Sequence, residues 1–140
     1  MPKIEVVLTT NIKAKAENIW KILADVQSWS QWLNTSYVKY DTPGPLVKGS
    51  TFFAELGGIR WKLTVIEEKK TEKICWIGNR FGIKAIHGWE LLEDGETTIV
   101  VSRESMSGYT AIITYPFTKR RLSKYDEKWL ADLKTRAEKP

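Results

Sequence analysis

From Gly49 onward, turn signals follow one another so closely that few folds can accommodate them. STFFAEL leads into Gly57-Gly58, and IRWKLTVIEEKK leads into Thr71-Glu72. KICWIGNR runs to Phe81-Gly82, IKAIHGWELLE runs to Asp94-Gly95, and TTIVVSRESM closes the series. Gly-Gly and Asp-Gly between alternating apolar residues are hairpin signals, because the two-residue turns that suit strand twist need positive φ. The pattern predicts an antiparallel meander. A sheet of this kind has an apolar face that must be covered. The chain ends on a suitable cover, a long segment with Leu122, Tyr125, Trp129 and Leu133 at helical spacing, joined by Leu130. Pro116 should start or kink that helix.

Upstream, Ile4 to Thr10 alternates and reads as a strand. AENIWKILAD follows, with Ile19, Ile22, Leu23 and Val26 on one helical face and Glu17, Lys21 and Asp25 opposite. A second short helix is expected from Ser28, as N-cap, through Trp29 and Trp32. SYVKYDTPGPL reads as a strand that ends in a Pro/Gly turn. The fold class is α+β: a strand, two short helices, about six more antiparallel strands and one long helix.

At 140 residues the chain suits one domain, residues 1–140. With 42% hydrophobic and 28% charged residues it is an ordinary globular mixture, which excludes a disordered chain. No apolar run approaches the ~18 residues of a membrane span, so no integral membrane contact is expected. The opening MPKIEVVLTTNIK carries Lys3 and Glu5 and lacks the apolar core of a signal peptide. One cysteine, Cys75, excludes an internal disulfide. A cytoplasmic location is the expectation. The net charge of +5 resides mostly in residues 119–140, which hold 8 basic and 4 acidic residues. Only Lys119, Arg120 and Arg121 are tightly grouped. Asp126, Glu127, Asp132 and Glu138 interleave with the remaining lysines, as on a solvated helix face, so no nucleic-acid partner is expected.

The run IKAKAENIWKILADVQSWSQW resembles the opening of the START-like, or helix-grip (SRPBCC), superfamily, through Ile19-Trp20, Leu23, Asp25-Val26, Trp29 and Trp32. Gly49, the CWIG segment and HGWELLEDGETTIVVSRESMSG extend the likeness over nearly the whole chain, closest to the polyketide cyclase/dehydrase and lipid-transport branch. The resemblance implies a curved antiparallel sheet of six to seven strands wrapped around the C-terminal helix, with an apolar cavity between them. It also implies that Trp32 lies near the cavity and that Trp29 is structural packing. It does not imply a reaction, because one such fold serves carriers, sensors and enzymes.

Turn parity sorts the two faces of the meander. With even turns, Leu56 opposes Ile59, Lys70 opposes Lys73, Arg80 opposes Ile83 and Glu93 opposes Glu96. Phe52, Ala54, Trp61, Leu63, Val65, Ile74, Trp76, Gly78, Ala85, His87, Trp89, Leu91, Val100, Ser102, Glu104 and Met106 then share the inner face. Cys75, Ile77, Ile86, Ile99, Val101 and most charges lie outside. In this register Trp76, His87 and Ser102 are direct cross-strand neighbours, with Glu104 diagonal to His87. This is the polar cluster of the inner face. His87, the sole histidine, can be a buried structural residue bonded to Ser102 or Glu104, a group that orients a ligand, or a general acid/base. Cys75 points away from it, so a Cys–His nucleophilic pair is not expected. One His and one Cys give no metal site of the usual kinds, and no cofactor motif occurs.

Seven tryptophans allow either a rich core or an aromatic-walled pocket. Tyr109, Ile112 and Tyr115 could line the cavity's other wall, while Trp129 should pack the far end of the helix onto the sheet. The candidate ligand-binding residues are Trp32, Phe52, Trp61, Trp76, His87, Trp89, Ser102, Glu104, Tyr109, Ile112 and Tyr115. The leading expectation is a carrier or sensor of a small apolar or aromatic ligand such as a lipid, quinone, isoprenoid or polyketide-like molecule. An alternative is a cyclase or dehydratase using His87 or Glu104 as acid/base. A second alternative is a protein-interaction module with a cavity filled by side chains. The outward apolar residues suit a monomer or a weak homodimer.

Overall fold

The computed structural model describes residues 3–140; Met1 and Pro2, the start of the segment read above as lacking a leader, lie outside the described residues. Seven strands form one antiparallel sheet in the order β1-β7-β6-β5-β4-β3-β2. They are β1 (Lys3–Ile12), β2 (Val38–Lys39), β3 (Thr51–Leu56), β4 (Ile59–Lys69), β5 (Lys73–Arg80), β6 (Ile83–Asp94) and β7 (Thr97–Ser107). Helix α1 (Ala16–Ala24) follows β1, the short helix α2 (Tyr109–Ile113) follows β7, and α3 (Tyr115–Ala137) closes the chain. Pro116 stands in the first turn of α3, where its missing N–H costs nothing. The helix lies against the inner face of the sheet. Trp129 reaches Trp76 and Trp89, and Leu122 joins Ile4 and Val6 in a second apolar cluster. Its C-terminal end is tied to β1 through Lys134 Nζ, which donates to the Asn11 carbonyl at 2.7 Å, and through Lys13 N–H, which donates to Glu138 Oε2 at 2.8 Å.

Three sequence expectations require correction. The second helix is a 3-10 turn, Val26–Gln31, with Asp25 at the N-cap position but making no side-chain capping bond, and Ser28 is inside it. Ser28 Oγ donates back to the Asp25 carbonyl at 2.9 Å, a local bond that competes with an N-cap role. The strand expected in SYVKYDTPGPL shrinks to Val38–Lys39, because the prolines and glycine that follow cannot sustain a ladder.

The third correction concerns register. Two turns deviate by a step, yet the inner face survives. At the β4–β5 turn, Lys69 rather than Lys70 opposes Lys73, with Thr71 at φ 68. A bulge between Val65 and Glu67 then absorbs one residue and restores parity, so Val65 meets Trp76. At the β6–β7 turn, Gly95 and Glu96 form the loop and Asp94 opposes Thr97. The whole β6–β7 register is therefore two residues from that expected. His87 opposes Glu104, and Ser102 opposes Trp89. A shift of two leaves every side chain on its own face. Trp61, Trp76 and Trp89 are all buried, and Cys75 lies on the outer side.

Candidate functional site

The inner face of β5, β6 and β7 meets α3 at an aromatic box. The His87 ring stacks on Trp89 with centroids 4.6 Å apart and stands edge-on to Trp129 at 5.0 Å. Trp76 lies 5.8 Å from His87, and Trp29 supports Trp76 and Trp129 from behind. Trp29 is itself fixed by its indole N–H, which donates to the Leu23 carbonyl at 3.2 Å, so it is packing rather than lining.

Within this box sits a polar group drawn from three elements. His87 Nε2 pairs with Ser102 Oγ at 2.8 Å, and its Nδ1 lies 3.2 Å from Glu104 Oε2. Asp126 descends from α3 beside Glu104. His87, Glu104 and Asp126 are all buried. Burial alone drives the histidine down to a pKa of about 3, so the ring is neutral at physiological pH. Burial pushes Glu104 well above the usual carboxylate range, and the charge of Asp126 and a hydrogen bond to it push further in the same direction. Asp126 is raised by burial to about 7, and the bond from Glu104 works against that rise. The consistent arrangement is a protonated Glu104 donating to Asp126, two carboxyls sharing a proton. Tyr125, one residue before, is also pushed upward by burial and stays a phenol.

His87 Nδ1, the Tyr125 hydroxyl and the Trp129 indole N–H find no hydrogen-bond partner among the described residues, and Asp126 has none there beyond Glu104. Ligand atoms of His87, Glu104 and Asp126 lie within 4.8 Å of one another, so these are the residues that could hold a cation. A proton shared between the two carboxyls removes one of the pair's two negative charges.

Above this floor opens a cavity of about 750 Å³. Its walls are Leu63, Trp61, Trp76 and Ala85 from the sheet, Trp129, Tyr125 and Leu122 from α3, and Met106 with Ile83 between. Leu56, Gly57 and Ile59 of the β3–β4 turn and Thr110, Thr114, Phe117 and Thr118 of the α2–α3 region form the rim, with Arg121 and Lys124. Gly78 makes room on β5: a Cβ there would come within 2.8 Å of Leu63 Cδ2 and 3.1 Å of the Trp61 ring. The volume falls within the range of small-molecule pockets. The tryptophans therefore do not fill the interior, which overturns the expectation of a filled cavity.

Of the expected lining residues, Trp61, Trp76, His87 and Glu104 reach the cavity. Phe52, Trp89 and Ser102 lie buried behind it, with Ser102 bonded to His87 and Trp89 stacked beneath it. Trp32 packs on the main core away from the cavity, and Ile112 packs on the second apolar cluster. Tyr109 and Tyr115 point outward, at 79% and 42% exposure. The α2 turn inserted before Pro116 rotates both tyrosines away. Trp129 sits at the centre of the box, not at the far end of the helix. Asp126, read above as part of a solvated face, is buried. Sequence spacing carried the signal: Asp126 falls four residues after Leu122 and four before Leu130, inside the apolar stripe. Cys75 is half-buried on the outer side, away from His87, and burial raises its thiol, which favours the protonated form.

A curved antiparallel sheet gripping a long helix, with an aromatic cavity floored by buried polar groups, defines a helix-grip protein of the START type. More narrowly, the chain belongs to the polyketide cyclase / dehydrase and lipid transport family, whose model matches residues 3–138. Its function accordingly lies in ligand binding or cyclase chemistry. A hypothetical protein of Helicobacter pylori superposes with a TM-score of 0.81 at 17% identity, over 98% of this chain and 88% of that one. A START superfamily protein of Mycobacterium smegmatis gives 0.79 at 17% identity, over 96% and 97%. The di-domain ARO/CYC BexL of the BE-7585A biosynthetic pathway gives 0.79 at 17% identity, over 99% of this chain and 51% of that one. At these identities the likeness establishes the fold. No curated protein matches the chain. No helix among the described residues is long and apolar enough to cross a membrane.

Proposed function

We propose that residues 1–140 act as one ligand-binding domain, a carrier or sensor for a small apolar or aromatic molecule bearing one polar end. A lipid, quinone, isoprenoid or polyketide-like compound has this character. The observation that carries the reading is the pairing of an open, aromatic-walled cavity of about 750 Å³ with a polar floor of His87, Glu104 and Tyr125, where the Tyr125 hydroxyl lacks a hydrogen-bond partner. Apolar walls supply affinity, and a few fixed polar groups supply orientation. A polar end on the ligand would meet Glu104 and the Tyr125 hydroxyl, which line the cavity, while His87, held by Ser102, and Asp126 would fix the position of Glu104.

Native mass spectrometry of protein purified without denaturant tests this, together with binding of anilinonaphthalene sulfonate followed by fluorescence. A co-purifying small molecule, or saturable probe binding lost in Ala85→Trp, supports the reading. Probe binding that Ala85→Trp leaves unchanged, with no co-purifying mass, overturns it.

A second reading, cyclase or dehydratase chemistry, draws support from the carboxyl pair. A protonated Glu104 at neutral pH is a general acid at the cavity wall: it could give its proton to a leaving hydroxyl as the C–O bond breaks and water departs, and the Glu104 carboxylate so formed could take the proton from the adjacent carbon, which restores the acid. Loss of turnover in Glu104→Gln with ligand affinity retained would select this reading over a carrier.

A further inference from the structure

The end of the molecule that surrounds the cavity rim carries large apolar side chains in water. Phe81 is 64% exposed, Tyr109 79%, Ile113 78% and Phe117 74%. Tyr109, Ile113 and Phe117 are spaced four residues apart along α2 and the first turn of α3. Phe81 comes from the β5–β6 turn, which is tied to α2 by Thr110 Oγ1 donating to the Phe81 carbonyl at 3.1 Å. Phe81 also holds a positive φ of 54°, unusual for an aromatic residue, which keeps it at the apex of the turn. Phe117 and Thr110 line the cavity as well, so the apolar tip and the rim are one structure.

Charge marks the same end. Acidic residues number 17, yet none lies in 79–85 or 105–125, the stretches that build the tip and the start of α3. Those stretches contain Arg80, Lys84, Lys119, Arg120, Arg121 and Lys124. The Arg80 guanidinium stands 4.6 Å over the Phe81 ring, and Lys119 stands 5.9 Å from the Tyr115 ring centroid. The acids that flank this end each stand beside a basic residue: Glu55 faces Arg60 at 3.9 Å, and Glu5, opposite Ser105, faces Lys3 at 3.6 Å.

We infer that this tip docks on the surface of an anionic lipid bilayer, with Phe81, Tyr109, Ile113 and Phe117 inserted at the headgroup level. Tyr109, Ile113 and Phe117 form one protruding apolar row with Phe81 tied beside it, and Arg80, Lys84, Lys119, Arg120 and Arg121 flank these residues along the chain. Protein interfaces are depleted in lysine at their cores. Segments that lie in a membrane interface combine basic residues with protruding aromatic and aliphatic ones. Docking at the rim would let an apolar ligand pass between bilayer and cavity without crossing water. The docking itself rests on the tip alone; the exchange of ligand rests on the function proposed above.

Co-sedimentation with large vesicles tests the docking. Vesicles of phosphatidylcholine alone are compared with an equal mixture containing phosphatidylglycerol. The protein is expected to bind the anionic vesicles and not the neutral ones, and high salt should release it. Each unit of charge near an anionic surface is worth about fivefold in partitioning, so Arg120→Glu is expected to weaken binding by more than about tenfold. Tyr109→Ser/Ile113→Ser should reduce it by about tenfold or more through lost apolar insertion. None of these three side chains lines the cavity, so probe binding by anilinonaphthalene sulfonate should persist in both variants. Loss of vesicle binding with probe binding intact supports the docking. Wild-type protein that ignores anionic vesicles overturns it, as does equal binding by the Tyr109/Ile113 variant. A tip buried in a dimer, seen as a doubled mass that the same variant abolishes, also overturns it. Failure of probe binding alone would refute the cavity reading and leave the docking standing.

Discussion

Asp126→Asn should make the protein more stable at alkaline pH, the reverse of the usual effect of removing a buried polar group. The folded Asp126 keeps its proton to about pH 7, whereas the unfolded chain loses it near 3.8. The native state thus binds more protons than the unfolded state across that window. Stability from this group is fully present below the unfolded value and is lost as pH rises toward the folded one. Between pH 5 and pH 8 the two states differ over about two pH units, and each unit corresponds to roughly 1.4 kcal/mol. Asp126 alone therefore removes about 3 kcal/mol of stability over that range. Asparagine cannot ionise, and its carbonyl still accepts the proton that Glu104 donates. Comparing the two proteins at each pH cancels His87, whose contribution has the opposite sign and is lost as pH falls below 6.5 toward about 3. Urea unfolding followed by tryptophan fluorescence is the assay. The variant should match the wild type within about 1 kcal/mol at pH 5. At pH 8 it should exceed it by about 3 kcal/mol, a midpoint displaced by roughly 1–2 M. A stability difference that does not change between pH 5 and pH 8 would refute the upward shift of Asp126 on which this reasoning rests.

Much of the fold was legible because hairpin turns and face parity are local. Gly57-Gly58 and Phe81-Gly82 adopt positive φ at both loop residues, as glycine allows in the first and against the preference of Phe81 in the second, and the registers beyond them follow directly. Asp94-Gly95 was harder. Gly95 takes the positive φ of 64°, but as the first loop residue rather than the second, and that moves His87 from opposite Ser102 to opposite Glu104. Nothing in a dipeptide states which of its residues ends the strand. The error was harmless to the face assignment because it displaced the register by two. It mattered to the site, where Ser102 supports His87 from behind while Glu104 faces the cavity.

The helix side of the site was read poorly for a different reason. The position of a helix over a sheet is set by packing volume, and no local rule supplies it. Trp129 was assigned to the far end because distance along the chain was taken for distance from the box. Asp126 was hidden by its charge: the interleaving of acids and bases from Lys119 to Glu138 looks solvated, and only the stripe from Leu122 to Leu133 contradicts it. Tyr109 and Tyr115 were placed inward because aromatics usually are. The α2 turn, unforeseen in the sequence, turned them out to build the tip.

Trp129→Ala should cost about 3–5 kcal/mol and open the box around His87, as read by thermal unfolding; a loss under 1 kcal/mol would mean the indole is not packed as described. The His87 imidazole nitrogens should show no titration by NMR from pH 8 down to pH 5, since burial holds the pKa near 3. A midpoint near 6.5 would place the ring in water. The last prediction concerns Gly108, which joins β7 to α2 at φ 116°. A Cβ there would lie 2.0 Å from the Gly82 carbonyl oxygen, backbone that belongs to the β5–β6 turn and cannot rotate away. Gly108→Ala must therefore part α2 from that turn and break the bond from Thr110 to the Phe81 carbonyl. Gly44 is the control, because it has φ 93° but nothing within 4 Å of its Cβ, so alanine there meets only backbone strain of about 1 kcal/mol. Gly108→Ala should lose clearly more than Gly44→Ala, and limited proteolysis should cut it within 108–114 while the sheet persists. Equal losses for the two variants would show that α2 does not lean on the β5–β6 turn, and the apolar tip would then not be a single surface.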